Sequence, residues 1–549
     1  MKTASKLMQR LTGIAKVNLG LKRKQRRLYY EGAAINRAIP VGTPVRLTPG
    51  VTRTTLVPDA DGKHSIIRRT IAGKEHGVID IVNKTIHSLY RHTESVYFVL
   101  REGLIEILTS LTALQDRQQW QALAEKLKRG GKLTIASICS GGDILTRAII
   151  DGLSKHVPAQ LAYSCEADPA VGSMAVAHSP VWQDNPDAIC YHLPLQQMLS
   201  QPLPRTDGIV ASLPCTSLSS LAEADRRRRM SKARQDKALD DSASQALGEE
   251  LPALKLALAR LAQRNDTTVL AEVTERLERL ERMATPNTAT KPMDEVEKNS
   301  LFMGLYALAS QSRPLFVVLE NVHAALNDLS MKLLITWMQG LGYQFSYEVR
   351  CASDHGAMEQ RPRLAALFTL PPISVELQVI PTRPANQVPL NALLQPVPDS
   401  AWSDMSKGIA RGEAQLAKGN GFEVKQLTGD ETRIGCIGAQ YWRGYKTCVI
   451  VGEQGHRQIT PLERARAMGW DEADQAQVIA TIEREALGNR DSNGKTRRPR
   501  KHSRAGSELV GNAISPPMWR DIGSAIGAAI ARTLATFNGQ PQLSLAFDG

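Results

Sequence analysis

From Leu133 onward the chain alternates short apolar segments with helix-length stretches, and this rhythm constrains its fold more than any other feature. Leu133–Cys139, Ala162–Glu166, Gly208–Leu213 and Phe316–Leu319 have the length and apolar content of buried strands. Strands separated by helical crossovers form a parallel sheet covered by helices, so the expected class is α/β. In open sheets of this kind ligands bind beyond the carboxyl ends of the strands. Each segment runs straight into residues suited to that place: Cys139–Asp143, Glu166–Asp168, Pro214–Cys215 and Glu320–Asn321. Four such strand ends predict one shared site.

Cys215 closes a strand in the run Asp207-Gly-Ile-Val-Ala-Ser-Leu-Pro-Cys215. Taken singly, a free cysteine is usually a small packing residue. Glu320 alone could cap the next helix, and Arg361 or Arg363 alone could be a surface cation. Their order changes the reading. Cys215 is followed by Leu315-Phe-Val-Val-Leu-Glu-Asn-Val322, Glu359-Gln-Arg-Pro-Arg363 and Gly511-Asn-Ala-Ile-Ser-Pro-Pro517. This ordered set resembles the DNA cytosine C5 methyltransferases of bacterial or mobile-element type. The resemblance covers roughly residues 131–221, 300–370 and 457–530, through motifs that are modest singly and specific together.

The resemblance implies a Rossmann-like class I S-adenosylmethionine-dependent methyltransferase core and a DNA (cytosine-5-)-methyltransferase activity. Carbon-5 of cytosine is a poor nucleophile until a thiolate adds to carbon-6. That addition needs a nucleophile, a hydrogen-bonding acid at N3 and a cation near O2. By resemblance Cys215, Glu320 and Arg361 fill those roles, with Arg363 in the same motif. Asp354-His-Gly-Ala-Met-Glu359 is similar to the family's lead-in to that motif, with Glu359 replacing a glutamine. Arg457–Trp470 is similar to a segment that buttresses the recognition domain, and Glu463 with Arg466, one helical turn apart, is expected to form a scaffold ion pair.

On the cofactor side the chain departs from the family. An acidic-Leu-Phe-small-Gly-x-Gly-Gly loop is replaced by Ala136-Ser-Ile-Cys-Ser-Gly-Gly-Asp143. S-adenosyl-L-methionine is implied by the resemblance, with Ser140, Gly141, Gly142, Glu166, Ala167, Pro214 and Asn512 as its binding residues. Glu166 is placed for ribose hydroxyls. Ala167 stands where a larger apolar residue covers the adenine, and Tyr191-His192 lies near the place of the acid that meets the adenine amine.

The 549 residues allow two or three domains, and no apolar stretch is long enough to span a bilayer. A net charge of +13 favours a polyanionic partner. The seven cysteines form no CxxC pair, so neither structural zinc nor a disulfide framework is expected. Residues 1–130 read as an N-terminal extension with a basic arm; Pro40–Asp80 looks β-rich, and 81–127 carries helical spacing through Val96, Leu100, Leu104, Ile107 and Leu111. The catalytic core is expected at 131–370, with a helical hairpin inserted at 222–300, and returns at 459–537.

Residues 371–458, broken by Pro and Gly, are expected to form the smaller target-recognition domain. Arg433, Gln440, Tyr441, Arg443, Lys446 and Thr447 are its candidate groove contacts. Arg226–Arg229 and the basic loop Arg490–Arg504 are further candidates for phosphate contact. The tail 538–549 contains Gln542-Leu-Ser-Leu-Ala-Phe547, similar to peptides that engage the bacterial sliding clamp. The expected protein is cytoplasmic and nucleoid-associated, monomeric on double-stranded DNA, and flips its target base. Two other readings stay open: a transfer RNA cytosine C5 methyltransferase, and a DNA- or clamp-binding protein whose cofactor site has decayed.

Overall fold

A computed structural model of the chain describes residues 10–50, 53–90, 93, 95–109, 111–214, 293–417, 424–443, 447–488 and 503–537. Two compact units divide it: residues 1–130 with 533–549, and residues 131–532.

The first unit is mainly β. Strands β1 (Leu11–Asn18), β2 (Gly20–Lys22), β3 (Gln25–Gly32), β4 (Pro44–Thr48), β5 (Arg53–Pro58) and β6 (His64–Ser65) are followed by β7 (Ile67–Ile71), β8 (Lys74–Ile81), β9 (Ser95–Arg101) and β10 (Leu104–Thr109). They form a six-stranded sheet, β1-β9-β10-β5-β4-β6, and a four-stranded sheet, β2-β3-β8-β7. Two sequence expectations are corrected here. The stretch from Val96 to Ile107 is a hairpin, not a helix, because Val96, Phe98 and Leu100 alternate inward and Gly103, at φ 72°, makes the turn. A spacing of four fits one face of a strand as well as one face of a helix. Within the basic segment, Lys16 to Arg27 is strand and turn rather than an arm.

The second unit is built on seven strands: β11 (Leu133–Ile138), β12 (Ala159–Cys165), β13 (Ile189–Tyr191), β14 (Gly208–Ser212), β15 (Phe316–Asn321), β16 (Gln344–Cys351) and β17 (Pro362–Thr369). Their order is β13-β12-β11-β14-β15-β17-β16. The first five strands are parallel, whereas β17 runs antiparallel to both β15 and β16. The chain reverses its direction of travel between β11 and β14, which is the switch point where open sheets bind ligands. All six residues of β15 are buried, as expected of a strand covered on both faces. Each buried Val, Leu, Ile or Phe of this kind contributes about 1.5–3 kcal/mol. Gly208 admits the ring of Phe316 from the neighbouring strand, for a Cβ there would lie 2.7 Å or less from three ring atoms.

A smaller sheet, β18 (Lys425–Leu427), β19 (Cys448–Gly452) and β20 (Gly455–Arg457), with its own apolar cluster around Leu390, Ile434 and Ile450, lies in the region expected to read the target. Arg433, Gln440 and Arg443 are exposed there. Tyr441 is not available as a groove contact: it is buried, and its hydroxyl donates to the Cys448 carbonyl at 2.7 Å. The hairpin expected at 222–300 lies outside the described residues except for the start of the helix Met293–Ser312. Arg226–Arg229, Lys446, residues 490–502 and the clamp-like tail also lie outside them. No helix among the described residues is long and apolar enough to cross a membrane.

Candidate active site

The loop after β11 takes an unusual path. Cys139, Gly141 and Asp143 all have left-handed backbone, at φ 51°, 54° and 59°, and such conformations cost non-glycine residues about 1–3 kcal/mol each. Side chains below the loop offset that cost. The buried Asp143 carboxylate accepts from Ser137 Oγ at 2.6 Å and Trp182 Nε1 at 2.9 Å. Burial nevertheless pushes its pKa up to about 6, against those hydrogen bonds. Glu166, at the end of β12, accepts from the Gly141 N–H and the Asp168 N–H, both at 2.9 Å. Each oxygen keeps a lone pair for an incoming hydroxyl.

The loop fits a polar ligand. A Cβ on Gly141 would meet nothing within 4 Å, so space is open there. Among the described residues, Ser140 Oγ and both amide atoms of Gln477 are buried without hydrogen-bond partners, a state that native structures seldom tolerate unless something else satisfies the groups. Gln477, on the helix Glu472–Gly488, brings Oε1 to 2.6 Å from where a Gly142 Cβ would stand. No motif pointed to this residue; its only sequence signal is a polar position on the buried face of a helix. Ala167 is exposed beside Glu166, and His192 packs over Gly172 close to Glu166.

Across the switch point, β14 and β15 bring a second group together. Glu320 is buried and accepts from Ser212 Oγ at 2.7 Å, its partner in the strand register. Its other oxygen pairs with Arg363 Nε at 3.0 Å. Asn321 donates to the Leu213 carbonyl at 3.1 Å and thereby fixes the backbone leading to the exposed Pro214. Cys215, next in sequence, lies outside the described residues. Asn321 was marked from sequence with Glu320, whereas Ser212 was not singled out, though it sits on a strand whose end was.

Arg361 is placed differently from expectation. It is 1% exposed, and its guanidinium donates to the carbonyls of Gly511 (2.7 Å), Ala513 (2.8 Å) and Ile437 (3.3 Å) and to Glu359 (3.2 Å). Strand alternation would put two residues this far apart on one face, but Arg361 precedes β17 and only Arg363 lies on it, so one is sealed inside and the other meets Glu320. Glu359 is fully buried between Arg361 and Arg464, and accepts from the Ile437 N–H at 3.0 Å. Burial opposes its ionisation, but the two guanidinium groups and that N–H outweigh it and hold its pKa below the usual carboxylate value. Asn512 is exposed at the end of the helix Arg504–Asn512, whose flanking carbonyls Arg361 holds. The expected Glu463–Arg466 pair is also replaced: Glu463 takes two bonds at 2.9 Å from Arg457, while Arg466 donates to Gln475 and to the Leu393 carbonyl. Among the described residues no cluster of His, Cys, Asp or Glu could hold a metal ion.

The sheet order, with its antiparallel seventh strand, and the two groups at the switch point define a Rossmann-like α/β fold. Residues 288–528 match the family model described as C-5 cytosine-specific DNA methylase. The match includes Glu320, Arg361, Arg363 and Asn512 but stops short of Cys215 and the glycine loop. No curated protein matches the sequence. Among solved structures, the Dnmt2 methyltransferase of S. pombe is 11% identical, with 74% of this chain and 99% of that one covered and a TM-score of 0.43. The methyltransferase EhMeth of Entamoeba histolytica is 13% identical, covering 72% and 98% at 0.41. A protein described as a DNA modification methyltransferase encoded within an E. coli prophage is 14% identical, covering 74% and 99% at 0.39.

Proposed function

We propose that the chain methylates carbon-5 of cytosine in double-stranded DNA by covalent addition of Cys215 to carbon-6 of a flipped base. The observation that carries this reading is Glu320, held between Ser212 and Arg363 at the strand end beside the Leu213-Pro214 loop. Extrusion brings the pyrimidine from the duplex to these residues. The Cys215 sulfur bonds to carbon-6 while Glu320 steadies the ring at N3. Arg363, rather than Arg361, is the cation available to the base, and Arg361 holds the loop 511–513 in place. Carbon-5 then takes the methyl group; loss of its proton to a base and of the sulfur from carbon-6 restores the ring.

S-adenosylmethionine supplies the electrophilic methyl when bound. Glu166 is placed to accept from ribose hydroxyls, and Gly141 and Gly142 let the backbone approach closely. The unpartnered Ser140 hydroxyl and Gln477 amide would hold polar atoms of the same ligand. These fits favour a working cofactor site over a decayed one, despite the altered glycine loop.

Bisulfite sequencing of DNA from cells expressing the protein tests activity and target together. Converted-resistant cytosines in one sequence context are expected, and Cys215→Ser should abolish them. Methylation of transfer RNA alone, with no mark on DNA, would replace this reading by the RNA one.

A further inference from the structure

The positive charge of this chain is not spread over it. Residues 1–130 carry 23 Lys and Arg against 10 Asp and Glu, which is the whole excess of +13; the remaining residues carry 45 of each. The concentration peaks at one hairpin. Strands β2 and β3 pair Lys22 with Gln25 across a two-residue turn made by Arg23 and Lys24. Both turn residues have positive φ, 51° and 64°. A two-residue turn with both φ positive strongly prefers Asn-Gly, so two long basic side chains here are held against local preference. Retained strain of this kind is a pointer to function.

The surroundings separate the turn from its neighbours. Lys22 and Arg27 both pair with Asp80, at 3.0 and 2.7 Å. Arg68 and Arg69, on the far strand of the same sheet, pair with Glu75 and Glu31. Arg23 and Lys24 are exposed, and among the described residues neither joins an ion pair. Both charges are therefore open to an anionic partner. We propose that this hairpin is a nucleic-acid contact in its own right: Arg23 and Lys24 engage the phosphate backbone of duplex DNA. A two-stranded ribbon is narrow enough to follow a DNA groove. The assignment rests on the reading that duplex DNA is the substrate.

The decisive variant is Arg23→Asn with Lys24→Gly in the full chain. It removes both charges and installs the preferred turn, so the melting temperature should hold or rise. Lys63→Gln with Lys84→Gln removes the same charge from the same unit and serves as control. Binding to a short fluorescent duplex is measured from 50 to 200 mM salt. Loss of two phosphate contacts should reduce the slope of log K against log salt by about 1.8, and weaken binding tens-fold near 0.1 M. The control should keep the wild-type slope. An unchanged slope in the hairpin variant, or an equal fall in the control, overturns the proposal. Methylation measured at saturating DNA reports separately on the catalytic reading, which fails only if neither wild type nor variant modifies the duplex.

Discussion

Arg361 and Arg363 are two residues apart, yet one is enclosed by carbonyls and Glu359 and the other meets Glu320. Their substitutions should therefore fail in different ways. Arg361→Ala leaves a buried carboxylate and three carbonyls short of donors, and should lower stability by about 3–5 kcal/mol in chemical denaturation. Arg363→Ala leaves the buried Glu320 with Ser212 still donating to it, and should cost less stability than Arg361→Ala, while kcat falls. The assignment of the two arginines is wrong if Arg363→Ala turns over normally. Glu320→Gln keeps the shape of the side chain but loses its acid function, and should lower kcat by about 10²–10⁴. Calorimetry should show S-adenosylhomocysteine binding unchanged in that variant, because Glu320 stands across the switch point from the glycine loop. Motif order alone could name both arginines but could not say which faced the site, since that depends on how β17 enters the sheet.

At the scale of elements, the glycine loop sets a pH dependence. Asp143 has a pKa of about 6 in the folded chain and about 3.9 when unfolded. The folded state binds the extra proton between these values, so this group's contribution is greatest below about pH 4 and is lost as pH rises through 6. A shift of about two units corresponds to about 3 kcal/mol. Relative to Asp143→Asn, the wild type should lose stability between pH 4.5 and 7 in denaturant titrations. Parallel profiles for the two proteins would show that Asp143 is not the titrating group. The strands that carry the site were legible from apolar runs ending in polar residues, because a strand covered on both faces has few other readings. Val96 to Ile107 misled because a repeat of four is shared by both periodicities, and only the turn at Glu102-Gly103 separates them. Gln477 was illegible for another reason: its importance comes from which polar atoms folding leaves without partners.

For the whole molecule, the two units have separate apolar clusters, one around Leu28, Phe98 and Ile105 and one around Ile209, Val317 and Leu319. A ligand that binds only one folded unit stabilises that unit, by about 2.7 kcal/mol at a hundred times its Kd. Scanning calorimetry with saturating S-adenosylhomocysteine should raise one transition and leave another where it was. A single transition that moves as a whole would mean that the units unfold cooperatively. The division of charge was hidden in the total: a net +13 suggested nucleic acid, but the boundary at residue 130 shows that the second unit is close to neutral.

The ring of Phe316 resting on Gly208 has a consequence four residues downstream. Even one methyl group at position 208 would push against a side chain that is fully enclosed and cannot swing aside. The two strands would have to part, and Ser212 would be drawn from Glu320 without either being altered. A Gly208→Ala enzyme should thus be a silenced catalyst with every reactive group intact, its fault lying in alignment alone.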